Sequence, residues 1–462
     1  MSFQAAGETR ISGIGRDTSP SALLTDLYQL NMVQAYLEAG QTGTAVFEFF
    51  VRKLPPQRNF LMAAGLEQAL EFLQGLQFSD DELSWLIRSG RFSARLIDYL
   101  SDFQFSGDVH AMPEGTVFFA NEPILRVTAP LSEAQLLETR LINVLHFQSL
   151  IASKAARMAL LAPDKLLVDF GLRRAHGAEA GLLSARASYI GGFAGTATVL
   201  AEKCFGIPAY GTMAHSFIQS FDDETAAFEA FAHARPKDLV LLIDTYDTEA
   251  AARKVVTMAP RLQALGIAIR GVRIDSGDLV ALSRSVRRIL DEGGLKDVTI
   301  FVSGGIEEET LLSFVREAAP IDGVGIGTSL ATSSDVPALD CAYKLQEYAG
   351  EPRRKRSTGK ATWPGRKQVW RRYDADGHMA SDVLSTEDDV QEGEALIVPV
   401  LQQGRPIARQ PSLQDIRAYA RTQLELERLP RGFQGLQSRS SYPVHVAARL
   451  EQLAAAVDLK MR

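Results

Sequence analysis

The sequence predicts an α/β fold in which a parallel sheet forms an irregular barrel joined to an α+β region. Three observations predict it. From Leu166 onward, short apolar runs recur, each ending in Gly, Asp or Ser and each followed by a helical stretch. Runs that are apolar throughout fit strands buried on both faces, as in a parallel sheet covered by helices. Their starts lie about 24 to 41 residues apart, the size of a βα unit. The first 130 or so residues lack this rhythm and mix strand-like and helical segments.

Taken in order, residues 1–20 are polar and rich in Gly, Ser and Thr, a loose tail without the apolar core of a signal peptide. Residues 23–40 read as a helix with a glycine stop, and 44–51 (TAVFEFFV) as a strand. Helical periodicity follows over 59–76 and 80–100. Strands return over 107–129, punctuated by Pro113-Glu114-Gly115 and Asn121-Glu122-Pro123. Ser132-Glu133-Ala134-Gln135 has the spacing of a capping box and opens a long helix to about Leu161.

Six apolar runs come next: LLVDFG (166–171), IPAYGT (207–212), LVLLIDTYD (239–247), IRGVRIDSGD (269–278), VTIFVSGG (298–305) and DGVGIGTS (322–329). A complete barrel needs eight strands, so this one is irregular or borrows strands; an open doubly wound sheet is the rival. Beyond Tyr343 the texture changes. Residues 353–372 are basic and broken by Gly and Pro, 385–410 resemble short strands, and 412–427 and 442–459 resemble helices. The expected organisation is a tail (1–20), an N-terminal α+β domain (21–130), the barrel (131–345) and a C-terminal segment (346–462). That segment either packs on the N-terminal domain or forms a small lobe of its own.

Composition narrows the function classes. The 462 residues are 46% hydrophobic and 23% charged, as in ordinary globular chains, with a net charge of −7. An acidic chain lacks the clustered positive charge that nucleic acid or an anionic membrane surface requires, so neither is expected as a partner. Cys204 and Cys341 are the only cysteines and have no metal-ligand spacing, which fits a reducing cytosol. With no apolar stretch near the roughly 18 residues of a membrane span, a cytoplasmic protein is expected.

In parallel α/β folds, ligands meet the carboxyl ends of the strands. That rule gathers Arg173, His215, Asp244, Asp247, Arg273, Asp275, Asp278, Ser303-Gly304-Gly305 and Gly325-Ile326-Gly327-Thr328 into one candidate site. Arginines and glycine-rich turns suit phosphate, through ion pairs and backbone N–H groups. Aspartates suit ribose hydroxyls or Mg²⁺. Each residue also has a plainer reading: Asp244 and Asp275 as helix N-caps, the glycines as tight turns, Arg173 as a surface charge, His215 as a structural histidine. The basic run Arg353, Arg354, Lys355, Arg356, Lys360, Arg366 and Lys367 reads as a solvated loop. Five consecutive units ending alike point to a site for a phosphorylated sugar with a metal.

The ordered motifs Leu24-Thr25-Asp26-Leu27-Tyr28-Gln29, Asp169-Phe170-Gly171-Leu172-Arg173-Arg174, Gly211-Thr212-Met213-Ala214-His215-Ser216-Phe217, Asp244-Thr245-Tyr246-Asp247, Val272-Arg273-Ile274-Asp275-Ser276-Gly277-Asp278, Gly325-Ile326-Gly327-Thr328-Ser329 and Pro364-Gly365-Arg366-Lys367 resemble nicotinate phosphoribosyltransferase. The resemblance spans about residues 25–367. It implies an irregular α/β barrel plus an α+β sandwich domain formed by N-terminal and C-terminal segments. It further implies a C–N bond-forming ligase that makes nicotinate mononucleotide and diphosphate from nicotinate and phosphoribosyl pyrophosphate, in NAD salvage. Mg²⁺ would be held mainly by the diphosphate, with Asp244 and Asp275 as candidate carboxylates. ATP hydrolysis would be coupled through transient phosphorylation of His215. Arg273 and Asp275 would act in catalysis. Phe170, Arg173, Thr212, Ser216, Asp244, Gly304, Gly305, Gly325, Gly327 and Thr328 would line the substrates. Tyr28 would serve the neighbouring subunit's site in a homodimer.

Elementary chemistry agrees. Displacing diphosphate from C1 of ribose builds positive charge on the sugar, so the site must hold the pyridine nitrogen in line and neutralise the leaving group. Phe170 and Tyr28 can sandwich a flat ring. The rivals are nicotinamide and quinolinate phosphoribosyltransferases, a sugar-phosphate barrel lyase or isomerase, and a non-catalytic binding protein. By resemblance, the nicotinamide enzyme carries an Asp where this chain has Ala197. A carboxylate there would repel nicotinate's own, so Ala197 favours the acid. None of the six strand endings has the Lys of a Schiff-base enzyme.

Overall fold

The computed structural model describes residues 21–425, 427–431, 433 and 441–460; the expected tail 1–20 lies outside them. The apolar runs build a six-stranded parallel sheet. Its spatial order is Gly195–Thr196, Leu166–Asp169, Gly323–Ile326, Thr299–Ser303, Ile269–Ile274 and Leu239–Leu242. The last run pairs with the first, Ile326 opposite Asp169, which is how a barrel begins to close. Closure stops there. Among the described residues no ladder joins Gly195–Thr196 to Leu239–Leu242, so the sheet is a half-barrel.

The expected strand at 207–212 accounts for the gap. It makes a single bridge, Thr196 to Ala209. Pro208 lends its carbonyl to the Thr196 N–H at 3.1 Å but has no N–H to extend a ladder. The short strand Gly195–Thr196 takes the edge instead.

A seven-stranded sheet stands beside the half-barrel, in the order Glu351–Pro352, Cys341–Tyr348, Thr44–Val51, Pro123–Pro130, Asp108–Ala111, Val398–Gln402 and Arg405–Pro406; its mapped ladders are antiparallel. N-terminal and C-terminal strands are thus interleaved, because Val398–Gln402 pairs with Asp108–Ala111. Strand Cys341–Tyr348 begins within the stretch expected to be barrel, yet pairs with Thr44–Val51. A further sheet joins Glu394–Ala395, Lys367–Tyr373, Met379–Thr386 and Val444–Val446.

Local expectations failed where tertiary partners were stronger. Ser132 does not cap a helix: helix Leu131–Leu136 starts after Pro130, and Gln135, the expected box partner, donates instead to Gln29 at 2.7 Å and to Glu138 at 3.0 Å. The chain turns at Leu137 into the long helix Glu138–Leu161. The predicted helix over 59–76 is a strand, Leu61–Met62, followed by helix Leu66–Gly75. The one over 80–100 divides at Gly90 into Asp80–Ser89 and Ala94–Ser101.

Two hydrophobic cores result, one inside the half-barrel and one under the antiparallel sheet. Buried ion pairs stitch them together. Arg186 of helix Ala178–Ile190 donates to Glu114 at 2.8 and 2.7 Å and to Glu67 at the start of helix Leu66–Gly75. Within the second core, Lys367 pairs with Glu48 at 2.7 Å, with both side chains buried.

Candidate active site

Each parallel strand delivers its terminal residues to one rim. Leu166–Asp169 ends at a fully buried carboxylate. Asp169 Oδ2 accepts from Thr196 Oγ1 at 2.7 Å, Oδ1 from the Gly171 N–H at 2.8 Å, and its backbone carbonyl from the Ala197 N–H at 2.7 Å. Burial pushes its pKa up to about 6, against these hydrogen bonds. Asp169 therefore sets both the Phe170-Gly171 turn and the exposed Ala197. Asp169 was not among the candidate site residues; its place at a strand end, beside a glycine turn, is the signal for it in the sequence.

Phe170 lies next to Phe301, ring centroids 5.7 Å apart, and over Gly325, where a Cβ would approach the Phe170 ring to 2.6 Å. Gly325 is thus required by close approach. The Arg273 guanidinium sits 5.4 Å from the centroid of the same ring, within cation–π range. Arg273 Nε donates to Ser303 Oγ at 2.9 Å, Nη1 to Thr212 Oγ1 at 3.3 Å and Nη2 to Asp275 Oδ1 at 2.6 Å. Ser303 also donates to Asp275. Burial would raise the Asp275 carboxyl, but the Ser303 hydroxyl, Arg273 and His215 together hold it below the usual range.

His215 opens the short helix His215–Gln219. Its Nδ1 lies 3.1 Å from Thr245 Oγ1, and its Nε2 lies 4.0 Å from Asp244 Oδ1 and 3.9 Å from Asp275 Oδ2. Asp244 accepts from the Asp275 N–H at 2.9 Å and from the Ser276 hydroxyl at 2.6 Å through Oδ2, while its Oδ1 is buried without a partner. A buried orphan carboxylate oxygen facing a half-exposed histidine suits a ligand.

The structure divides the aspartates that the sequence grouped. Asp247 and Asp278 are helix caps, accepting from Ala250 N–H at 2.7 Å and Ala281 N–H at 3.0 Å. Asp244 and Asp275 are not caps and converge on His215. Thr245 and Thr196 join the site unforeseen. Gly304, at φ 96°, passes so close that a Cβ would meet the Asp275 carbonyl at 2.1 Å, and Gly305 follows at φ 64°. Thr212 is part-buried beside Arg273, whereas Ser216, on helix His215–Gln219, and Thr328, next to Gly327, are exposed. Arg173 sits exposed in the turn Leu172–Arg174. Tyr28, 45% exposed on helix Leu27–Glu38, is not among the aromatic neighbours of Phe170 within the described chain.

Among the described residues no cluster of three or more His, Cys, Asp or Glu could by itself hold a metal. Asp244 and Asp275 supply two carboxylates, which fits Mg²⁺ carried mainly by substrate phosphates.

Two family models match this chain: the nicotinate phosphoribosyltransferase N-terminal domain over residues 23–146 and the nicotinate phosphoribosyltransferase family over 166–355. The chain belongs to the nicotinate phosphoribosyltransferase family. It is 47% identical to nicotinate phosphoribosyltransferase pncB2 of Mycobacterium tuberculosis, over 93% of this chain and 92% of that one. It is 39% identical to nicotinate phosphoribosyltransferase of Bacillus subtilis, over 80% and 76% of the two chains. The crystal structure of human nicotinic acid phosphoribosyltransferase superposes with a TM-score of 0.83 at 30% identity, covering 94% of this chain and 100% of that one. The half-barrel with its interleaved antiparallel sheet is this family's fold. The enzyme's activity is nicotinate phosphoribosyl transfer, in the salvage of NAD from nicotinate. No helix among the described residues is long and apolar enough to cross a membrane.

Proposed function

We propose that this nicotinate phosphoribosyltransferase couples mononucleotide synthesis to ATP hydrolysis through transient phosphorylation of His215. The observation that carries the reading is the setting of the imidazole, with Nδ1 beside the Thr245 hydroxyl and Nε2 facing Asp244 and Asp275. A proton on Nε2, on the side of the two carboxylates 3.9–4.0 Å away, leaves the lone pair on Nδ1 for attack. Nδ1 attacks the γ-phosphorus of ATP, the P–O bond to ADP breaks, and water later removes the phosphoryl group as inorganic phosphate.

In the synthetic step the C1–O bond to diphosphate breaks as the nicotinate ring nitrogen bonds to C1. Arg273 keeps an Nη2 proton beyond those it gives to Asp275, Ser303 and Thr212, and that proton is free for the diphosphate. The Gly304-Gly305 and Gly325–Gly327 turns offer backbone N–H groups to phosphate oxygens. Mg²⁺ held between the diphosphate, Asp244 and Asp275 would neutralise the leaving group. Phe170 supplies one face for the pyridine ring and Arg173 a cation for its carboxylate or the mononucleotide phosphate. Tyr28 supplies the other face from a second copy of the chain, which makes the working form a homodimer with shared sites.

The test is direct. Protein, phosphoribosyl pyrophosphate and Mg²⁺ are incubated with nicotinate or nicotinamide, with and without ATP, and the mononucleotide is identified. Labelled ATP should leave a base-stable, acid-labile phosphate on wild type and none on His215→Asn. A His215→Asn protein that still acquires such a label would move the phosphorylated residue elsewhere.

A further inference from the structure

Behind the two glycine turns lies an ionic network that touches no residue of the reaction centre. Lys154, on helix Glu138–Leu161, is fully buried. Its Nζ donates to Glu308 Oε2 at 2.8 Å and to Asp335 Oδ1 at 2.6 Å. Glu308 opens helix Glu308–Arg316, which follows the Ser303-Gly304-Gly305 turn. Asp335 lies just beyond helix Thr328–Ala331, which follows the Gly325–Gly327 turn. One ammonium group therefore holds a carboxylate from each turn's own segment. The segments also meet directly, since Ser329 Oγ donates to the Ile306 carbonyl at 2.6 Å.

Two arginines complete the network. Arg58, from the N-terminal region, donates through Nη2 to Ser333 Oγ at 2.6 Å and to Asp335 Oδ1 at 3.1 Å, and through Nη1 to the Leu150 carbonyl at 2.8 Å. Ser333 is fully buried at φ 45°, a conformation a serine keeps only when tertiary contacts hold it. Arg157 lies 3.4 Å from Asp335 and 3.7 Å from Glu308. Without Lys154, Asp335 would keep Arg58 at 3.1 Å, but Glu308 would keep only Arg157 at 3.7 Å, and the one group that bonds both segments closely would be gone.

We propose that Lys154 is a positioning residue that sets the spacing of the two glycine turns, and through it the affinity for the phosphates of phosphoribosyl pyrophosphate. The inference rests on those turns being the phosphate site. Lys154→Met should raise KM for phosphoribosyl pyrophosphate on the order of 10-fold or more, because small misplacements of binding groups are amplified. KM for nicotinate should rise several-fold less, since the network bonds neither Phe170, Arg173 nor Ala197 and reaches Phe170 only through Gly325, over which that ring lies. Adding Glu308→Gln should recover part of the loss by removing the buried carboxylate that Lys154→Met leaves with only Arg157 at 3.7 Å. Lys154→Arg, which keeps the charge at a changed length, should show a smaller shift of the same selectivity and serves if Lys154→Met does not fold. A merely structural role would lower thermal stability without separating the two KM values, and that result, or unchanged kinetics, would overturn the proposal. Gly305→Asp tests the underlying reading, because it places a carboxylate in open space at the turn. If Gly305→Asp leaves KM for phosphoribosyl pyrophosphate unchanged, the phosphate-turn reading fails; if it raises KM while the Lys154 variants do not, only the present inference fails.

Discussion

The rim of the half-barrel and the junction beneath the C-terminal segment are built from the same pair, an arginine and an aspartate joined through Nη2 at 2.6 Å, but the two do opposite work. At the rim, Arg273 and Asp275 keep 11% and 25% of their side-chain surface in contact with solvent. Their neighbours are hydroxyls and the orphan oxygen of Asp244. At the junction, Arg371 and Asp382 keep none. There Arg371 also bonds Asp382 through Nε at 3.0 Å, and the Tyr442 hydroxyl donates to Asp382 at 2.8 Å while its ring stacks on Phe119 at 3.8 Å. Glu122 is sealed beside them, its carboxyl driven well above the usual range by burial and by Asp382. Access to water, more than residue type, separates a pair that can exchange partners with a ligand from one that holds two segments together.

The largest effect that would break this comparison is on stability. Arg371→Met should destabilise the fold by about 3–5 kcal/mol, because it leaves Asp382 buried without its cation. Urea denaturation measures it. Asp275→Asn at the rim should change stability by about 1 kcal/mol or less, since its charge is partly hydrated. The same variant should raise the apparent KM for phosphoribosyl pyrophosphate and Mg²⁺ on the order of 10- to 100-fold, through lost charge-assisted contacts. Comparable destabilisation by the two variants would erase the distinction drawn here.

Two rim variants sharpen it. Arg173→Ala should lower kcat/KM for nicotinate on the order of 10- to 100-fold, the loss of one charge-assisted bond, with no change in melting temperature. An unchanged kcat/KM would return Arg173 to the status of a surface charge, consistent with its exposure. Ala197→Asp should raise KM for nicotinate more than for phosphoribosyl pyrophosphate, by setting like charges together. Equal effects on both substrates would place the pyridine away from this strand end.

Periodicity and strand endings were legible because they are local. Five of the six apolar runs are strands of the parallel sheet, and their polar ends meet at one rim. The run at 207–212 failed because one proline removed the donor a ladder needs. The Ser132 cap failed because the helix begins before it, at Leu131, and Gln135 bonds Gln29 and Glu138 instead. Within the Asp244–Asp247 and Asp275–Asp278 pairs, the second member caps the helix through the N–H three residues on, and the first is left for the site. That division was readable in principle, since the cap is the Asp nearest the helix. The Lys154 and Arg371 networks were not readable, for their members come from elements scattered over the chain and meet only through packing.

The last expected effect, read as a slope with pH, concerns Asp169, which belongs to neither class: it is buried like the junction but lies at the rim. Its pKa is about 6 in the folded protein, above the roughly 3.9 of an unfolded chain. A folded state that binds a proton more tightly gains stability from this group below the unfolded pKa and loses it as pH rises through about 6. Asp275, held below the usual range, acts in the other direction and gives up its contribution only as pH falls through its own depressed pKa. Between pH of about 4 and 6, then, Asp169 should pull stability down as pH rises, by at most about 1.4 kcal/mol per pH unit. Asp169→Asn removes that titration while keeping one acceptor for either Thr196 or Gly171. Urea midpoints measured from pH 4.5 to 7.5 should therefore fall less steeply with rising pH in the variant than in wild type across the lower half of that range. Identical slopes would mean that Asp169 is already ionised there, and that the Thr196 and Gly171 hydrogen bonds outweigh its burial.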